Sequence, residues 1–317
     1  MPVHTSFVVK LVVLAACATM AGSAAQAVDN TRYISITGNN ANACTLAAPC
    51  FTLQRGINAT PAGGELRILD SGVSANNATV NKSMTISGNG NTVFLNNPIT
   101  IDDAEAVVTL RGITLNGQGT IDDGISIVAA AAVHIERCVI HNFTRYGIYV
   151  PGAGVEVFVL DSISRDNGVY GLFATSSSEL RLTVDNSRFD NNGSNGIDVR
   201  SGHATISRSA ASGNNVGIIA SLGAFVSVVS TVAAKNSNSG FAATVDGTIT
   251  VESSAAHGNS NGLTAQNGGF ARMSNSTVTD NSFGVVNSAI IETRQNNTVR
   301  GNGIDLQGNA LTPIGGV

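Results

Sequence analysis

The chain has 317 residues, with 17 Lys and Arg against 21 Asp and Glu and a formal net charge of −4. This length is sufficient for a large buried core. The sequence has no basic patch, which argues against a nucleic-acid-binding protein and disfavours unaided binding of polyanions such as pectate.

Residues 1–27 are predicted to be a secretory signal peptide. They contain Lys10, an apolar run at about 11–21, and an Ala-Gln-Ala sequence that ends at Ala27. The letters "LAAC" at 14–17 also fit a lipoprotein cleavage site, so both kinds of processing stay open. No other segment is long enough to cross a membrane. We therefore expect an exported protein that is secreted, periplasmic or at the cell surface.

Residues 28–64 are predicted to form an N-terminal cap. The letters "YISI" at 33–36 indicate a first strand, and "PCFTLQRGINA" at 49–59 indicates a short helix. Cys44 and Cys50 flank a Pro-containing loop, and an oxidising compartment would allow them to form a disulfide. Two free thiols are the alternative.

The remaining residues, 65–317, are predicted to form one coil, and after less regular first turns they repeat a phrase in which an Asn-rich segment precedes a Gly and a run of alternating apolar residues. The glycines that mark the phrase lie 21–25 residues apart and are Gly124, Gly147, Gly171, Gly196, Gly217, Gly240, Gly262 and Gly284. A period of this length is typical of a solenoid. Within each unit, apolar and polar residues alternate and Val, Ile and Thr are frequent, which predicts strands.

Strands that coil at about 23 residues per turn predict an all-β parallel β-helix. Each turn would stack on the previous one at about 4.8 Å, so that equivalent positions form columns along the coil. In "GIDVR" at 196–200, Ile197 and Val199 are expected to point into the coil. Asp198 and Arg200 are expected to point outwards.

Side chains at the turns are expected to form two ladders of hydrogen bonds that stabilise the coil. The first ladder is predicted from the asparagines upstream of the Gly positions: Asn142, Asn167, Asn191, Asn214, Asn236, Asn259, Asn281 and Asn302. The second is predicted five residues earlier: Ser162, Asn186, Ser209, Thr231, Ser254, Ser276 and Asn297. We expect a structural role for these residues.

These repeats, together with "CTLAAPCFTLQRGINATPAGGELRILDSG" at 44–72, resemble the secreted right-handed parallel β-helix proteins of the pectin-lyase-like superfold. The resemblance covers nearly all of the chain after the signal peptide. It implies a right-handed coil with a short helix over its N-terminal end. It implies no particular activity, because lyases, hydrolases, epimerases, adhesins and inert scaffolds share this coil.

Four aromatic residues near the middle of the chain are predicted to form two pairs on neighbouring turns, Tyr146 with Tyr170 and Tyr149 with Phe173. Charged residues are expected on their flanks: Asp122, Asp123, Asp198 and Arg200. Exposed rings beside carboxylates and an Arg are typical of a sugar-binding surface. The alternative is that the rings stack only to stabilise adjacent turns.

Two catalytic interpretations of this surface are open. The letters "TIDDGISI" at 120–127 resemble the paired-aspartate segment of polygalacturonases, in which Asp122 or Asp123 would supply a carboxyl group for hydrolysis. The other motifs of that family are missing from the sequence. A lyase would need calcium and a base near the sugar, and Asp198 with Arg200 is the nearest approach to that arrangement.

No cofactor is expected, except that calcium could bind where acidic side chains stack. Glu136, Asp161 and Asp185 are predicted on three successive turns, followed by Arg208, and a solvated acidic edge is the alternative. Cys138 is expected to be buried in the core. The histidines share no column and no zinc-binding spacing is present, so no metal site is predicted from them.

We therefore expect an exported β-helix protein that interacts with a polysaccharide or a cell-surface glycan. The alternative is a carbohydrate-active enzyme, a polysaccharide lyase or a glycoside hydrolase, acting at the outer face around residues 122–200. The short turns and the missing catalytic motifs favour binding. The fold class and the clustered aromatic residues favour the enzyme, and the sequence leaves both open.

Overall fold

A computed structural model describes Met1, residues 30–175 and residues 180–315. The predicted signal peptide therefore lies almost entirely outside the described residues. Within them, no helix combines the length and the apolar character that crossing a membrane requires.

The described chain winds into a coil of three parallel β-sheets, and successive turns add one strand to each sheet. Sheet A has thirteen strands: β1 (Thr31–Ile34), β2 (Glu65–Ile68), β5 (Met84–Ser87), β8 (Val107–Arg111), β11 (Ala132–Glu136), β14 (Glu156–Leu160), β17 (Arg181–Asp185), β20 (His203–Ser207), β23 (Phe225–Val229), β26 (Thr248–Glu252), β29 (Phe270–Ser274), β32 (Ile290–Thr293) and β35 (Thr312–Pro313).

Sheets B and C have eleven strands each. Sheet B contains β3 (Val73–Ala75), β6 (Thr92–Leu95), β9 (Thr114–Asn116), β12 (Val139–His141), β15 (Ile163–Arg165), β18 (Arg188–Asp190), β21 (Ala210–Ser212), β24 (Val232–Ala234), β27 (Ala255–His257), β30 (Thr277–Thr279) and β33 (Thr298–Val299). Sheet C contains β4 (Ala78–Val80), β7 (Ile99–Asp102), β10 (Asp123–Ala129), β13 (Tyr146–Val150), β16 (Tyr170–Ala174), β19 (Asn195–Val199), β22 (Val216–Ala220), β25 (Ser239–Thr244), β28 (Asn261–Gln266), β31 (Phe283–Asn287) and β34 (Ile304–Gly308).

The strand register confirms the columns that the repeat predicts. The positions two residues after the marking glycines pair in one continuous column: Ser126, Tyr149, Phe173, Asp198, Ile219, Ala242, Thr264 and Val286. Ile197 and Val199 are fully buried in the core, as their alternation predicts. The core is one apolar cluster that fills the inside of the coil.

The N-terminal end of the coil is covered by helix α1 (Leu53–Ala59). Thr52 caps it by accepting the Arg55 N–H, and Leu53 and Ile57 are buried beneath it. A Cβ on Gly56 would lie 2.7 Å from side-chain atoms of Ile34 and Leu66, so close packing of the helix requires glycine there. The short cap helix is thus confirmed.

The cap also contains the Cys44–Cys50 disulfide, whose Cα atoms are 4.6 Å apart. Strand β1 runs from Thr31 to Ile34 and therefore lies two residues earlier than the predicted strand at 33–36. The strand does not continue to Ile36 because the Ile36 N–H donates to the Asp70 carboxylate at 2.8 Å instead of to a neighbouring strand.

Both ladders are present, but three predicted members were wrong by one residue. The asparagine ladder consists of Asn167, Asn192, Asn214, Asn236, Asn259, Asn281 and Asn302. The hydroxyl ladder consists of Ser162, Ser187, Ser209, Thr231, Ser254 and Ser276 and ends at Asn297.

The three displaced residues, Asn142, Asn186 and Asn191, occupy the left-handed turn position just before the ladder, with φ of 61°, 46° and 54°. Asparagine tolerates this conformation better than most residues, which explains its presence there. The next residue then turns inwards. In the first of these turns that residue is Phe143, so the asparagine ladder begins one turn later.

Candidate functional site

The outer face of sheet C gathers eight charged and aromatic side chains over four adjacent strands, β10, β13, β16 and β19. We call this surface the aromatic–arginine face, and it consists of Asp123, Arg145, Tyr146, Tyr149, Tyr170, Phe173, Asp198 and Arg200. The strands lie side by side because each turn of the coil stacks directly on the last. Alternation sends Tyr149, Phe173, Asp198 and Arg200 outwards while their neighbours fill the core, and the other members lie at or just before the start of a strand, next to the marking glycines.

The four rings form the two predicted pairs. Tyr146 and Tyr170 stack with centroids 5.3 Å apart, and Tyr149 and Phe173 stack at 5.6 Å. Tilted contacts link the two columns, with Tyr170 and Phe173 at 4.8 Å. Stacking covers much of the ring faces, and Phe173 is only 6% exposed whereas the tyrosines are half-buried. The surface therefore presents ring edges more than open ring faces, which differs from the exposed rings that the sequence led us to expect.

Arg200 closes one end of the face. Its guanidinium lies 4.5 Å over the Phe173 ring, donates to the Tyr170 hydroxyl at 3.1 Å, and pairs with Asp198 at 3.3 Å. Burial raises the pKa of Tyr170, and the Asp198 carboxylate raises it further.

Asp198 points outwards, as predicted, but it is only 2% exposed. Arg200 covers it, and the Asn195 side-chain amide donates to it at 3.0 Å. Burial raises the pKa of Asp198, while the nearby guanidinium opposes that shift. A calcium ion or a sugar could reach this carboxylate only if Arg200 moved away.

The predicted aspartate pair lies at the opposite end of the face, with Asp122 just outside it. Asp122 is exposed and accepts the Thr144 hydroxyl at 2.8 Å. Asp123 is 8% exposed, and its buried Oδ1 has no hydrogen-bond partner among the described residues. Burial raises the pKa of Asp123, and the Arg145 guanidinium opposes this. Three turns separate Asp123 from the strand of Asp198, about 14 Å, so the two carboxyl groups do not form a hydrolytic pair.

Arg145 is a residue that sequence reasoning missed. It precedes β13 in the turn and is exposed, and its guanidinium lies 4.5 Å over the Tyr146 ring. No carboxylate of the described residues lies within ion-pair distance of it, in contrast to Arg200. The sequence signal that could have identified Arg145 is its position directly before Tyr146, a candidate site residue. Strand alternation alone does not mark a turn residue.

The predicted acidic column is wrong. Leu160 pairs with both Glu136 and Asp185 and separates them, and Asp161 lies outside the strand at a left-handed position with φ of 51°. Glu136 instead pairs with Arg111 at 2.8 Å. No group of three or more His, Cys, Asp or Glu in the described ranges could hold a metal ion.

The remaining acidic residue of that set, Asp185, accepts the Ser207 hydroxyl at 2.6 Å and pairs with Arg208. These contacts lower the pKa of Asp185, the Ser207 hydrogen bond most. Cys138 is buried, as expected, and burial raises the pKa of its thiol to about 11.

Comparison with known proteins supports the fold. A family model described as "Right handed beta helix region" matches residues 152–304, and one described as "Periplasmic copper-binding protein (NosD)" matches residues 75–223. These matches and the three-sheet coil show that the chain folds as a right-handed parallel β-helix. Among curated proteins, the sequence has no significant match.

Three solved structures share the fold at low sequence identity. The A-module of the Azotobacter vinelandii mannuronan C-5 epimerase AlgE6 has a TM-score of 0.63 and 16% identity, over 82% of this chain and 92% of that one. The A-module of AlgE4 from the same organism has a TM-score of 0.58 and 16% identity, over 84% and 95%. Pectate lyase Pel9A has a TM-score of 0.57 and 17% identity, over 86% and 79%.

Proposed function

We propose that the protein is an exported β-helix protein that binds a polysaccharide along the aromatic–arginine face. One observation carries this proposal. The exposed guanidinium of Arg145, which forms no close ion pair among the described residues although Asp122 and Asp123 lie on its flank, shares an outer face with three tyrosines on adjacent turns.

The chemistry of this face suits a sugar chain. Phenol hydroxyls and guanidinium groups can bond to sugar hydroxyls, and a guanidinium also bonds to carboxylates in a bidentate manner. The stacked rings hold these groups in fixed positions, which lowers the entropy lost on binding. Because Asp198 neutralises Arg200, Arg145 is the residue that we expect to bind a carboxylate of an acidic glycan.

Export is supported by two further features. One of the matching families is described as periplasmic, and the described chain has a disulfide, which is typical of oxidising compartments. The predicted signal peptide agrees with both.

A second function, catalysis on a polysaccharide, rests on Asp123. A buried carboxyl group with a raised pKa and an unpartnered oxygen at the edge of a binding face is suited to act as a general acid. Asp122 is a weaker candidate because it is exposed. A calcium-dependent lyase built on Asp198 and Arg200 would require their ion pair to open. Three solved structures with this fold are named as mannuronan epimerases or as a pectate lyase, so this alternative is tested together with binding.

The binding proposal is tested with Tyr149→Ala. This change removes one ring edge and hydroxyl from the face, and we expect the affinity for mannuronate or galacturonate hexasaccharides to fall about tenfold in calorimetric titration. Phe94→Ala, which removes an exposed ring from sheet B, is the matched control. Equal affinities of the wild type and Tyr149→Ala would reject the face as the binding site.

The same mixtures test catalysis by mass spectrometry, with calcium and with a chelator. Unsaturated fragments that disappear with the chelator would indicate a calcium-dependent lyase. Saturated, shortened fragments that are lost in Asp123→Asn would indicate a hydrolase. Unchanged oligosaccharides at high protein concentration support binding without catalysis.

A further inference from the structure

The outer face of sheet A carries a groove that runs along the coil axis, on a different sheet from the aromatic–arginine face. Two concavities of about 240 and 370 Å³ share Thr250 and Arg272 in their walls. A third, of about 530 Å³, adjoins the first at His203 and extends to Arg181. Because these concavities share lining residues, they adjoin one another, and together they form a groove along the outer face of sheet A from β14 to β29.

The floor of this groove is a column of hydroxyl groups. Thr205, Ser227 and Thr250 line the groove and pair in register on three successive turns, and Thr183 continues the column by one more turn. All four are at least partly exposed to solvent. The ladder residues are buried inside the coil, whereas these hydroxyls are available to a ligand that lies along the axis.

One wall of the groove is aromatic. His203 and Phe225 stack with centroids 5.2 Å apart, and Phe225 is 53% exposed. Phe270 lies two turns further along the same column, with Thr248 between them and the Arg272 guanidinium 4.6 Å over its ring. An apolar wall beside a polar floor matches a pyranose ring, which has an apolar face and a rim of hydroxyl groups.

The charges along the groove balance in number, because Arg294 and Glu252 also line one of its concavities, one charge of each sign. Arg272 pairs with Glu292 at 2.6 Å, and Arg181 lies 3.9 Å from Glu156. A ligand without net charge is therefore favoured. An extended peptide is disfavoured because peptides that add to a sheet need a free strand edge, whereas the strands beneath the groove are paired on both sides.

From these observations we infer that the groove binds a neutral, extended glycan chain parallel to the coil axis. Successive turns lie about 4.8 Å apart, similar to the length of one pyranose residue in such a chain, so each turn can contact one sugar. This site is independent of the aromatic–arginine face and of the acidic glycan proposed there.

The test uses hexasaccharides of β-1,4-linked glucose and of β-1,4-linked mannose in calorimetric titration. We expect at least one of them to bind the wild type, and to bind more tightly than the corresponding disaccharide. Phe225→Ala should weaken that binding about tenfold. Thr205→Val, which keeps the shape and removes a hydroxyl, should weaken it as well, whereas Phe94→Ala and Tyr149→Ala should not change it.

Three outcomes overturn the inference. They are no binding of either hexasaccharide at millimolar concentration, unchanged affinity in both groove variants, or a loss in Tyr149→Ala without a loss in Phe225→Ala. The last result would move the neutral glycan to the other face and leave the proposed function intact. Loss of uronate binding in Tyr149→Ala with unchanged neutral binding would show two separate sites, as we expect.

Discussion

At the scale of single residues, Asp123 is a carboxylate in a buried position. Its pKa is raised by burial, so the folded protein holds a proton on Asp123 more tightly than the unfolded chain does. Its contribution to the free energy of unfolding therefore falls as the pH rises through the unfolded pKa and then the folded pKa, and it stays unfavourable at pH 7. A binding or catalytic role would explain why such a residue is kept at the face.

We predict that Asp123→Asn raises the free energy of unfolding at neutral pH by about 1 kcal/mol, because it removes a charge from a buried site. The gain should shrink in acid, where Asp123 is protonated in both states. Urea unfolding at neutral and at acidic pH measures this, and Asp122→Asn, at an exposed position, should change stability by about 0.5 kcal/mol or less. A gain of the same size at both pH values would show that burial of the charge is not the cause.

Burial of single residues was the part of the site that the sequence could not predict. Alternation along β19 correctly predicts that Asp198 points outwards. Its burial depends on Arg200, which folds back over it, and on Asn195 beside it. The direction of a side chain follows from the two-residue period of a strand. Its burial depends on the rotamers of the side chains around it and on the neighbouring turns.

At the scale of elements, the asparagine ladder joins one turn of the coil to the next. Asn236 accepts the Asn214 N–H at 3.0 Å through Oδ1, and its Nδ2 donates to Asn259 Oδ1 at 2.9 Å and to the Ala211 carbonyl at 3.1 Å. Asn236 is 1% exposed, so its partners would be left without water if it were removed. Each ladder member therefore satisfies groups on both neighbouring turns.

We predict that Asn236→Ala lowers the free energy of unfolding by about 3–5 kcal/mol, because several buried donors and acceptors lose their partners. Asn238→Ala, two residues along the same turn and exposed, should cost about 0.5 kcal/mol or less. Chemical denaturation of the two variants compares them directly. Similar costs for both would mean that the ladder does not hold the turns together.

The ladders also show how far a repeat pattern predicts an element. The sequence correctly predicts two ladders and most of their members. It misplaces Asn142, Asn186 and Asn191 because asparagine suits both the left-handed turn position and the ladder position after it. Only the backbone conformation separates the two positions.

At the scale of the whole molecule, the coil stacks similar turns so that each strand pairs only with the turns on either side. This is why the period alone predicts the fold and the columns, including the pairing of Tyr146 with Tyr170. A site on such a surface is assembled from several successive turns. Turn residues such as Arg145, which lie outside the alternation, then complete it.

The same architecture allows two binding faces on one coil, since sheets A and C present separate outer surfaces. The aromatic–arginine face has a guanidinium without an ion-pair partner among the described residues, whereas Arg181 and Arg272 of the sheet A groove are paired and its Arg294 is accompanied by Glu252 in the same concavity. We therefore expect an acidic glycan at the aromatic–arginine face and a neutral glycan in the sheet A groove.

The central claim is that the aromatic–arginine face binds an acidic polysaccharide through Arg145. The most direct measurement is the calorimetric affinity of the wild type and of Arg145→Gln for a uronate hexasaccharide at low and high salt. We predict that Arg145→Gln weakens binding about tenfold or more at low salt, and that the difference narrows at high salt because the lost contact is ionic. Equal affinities of the two proteins at low salt would contradict the account.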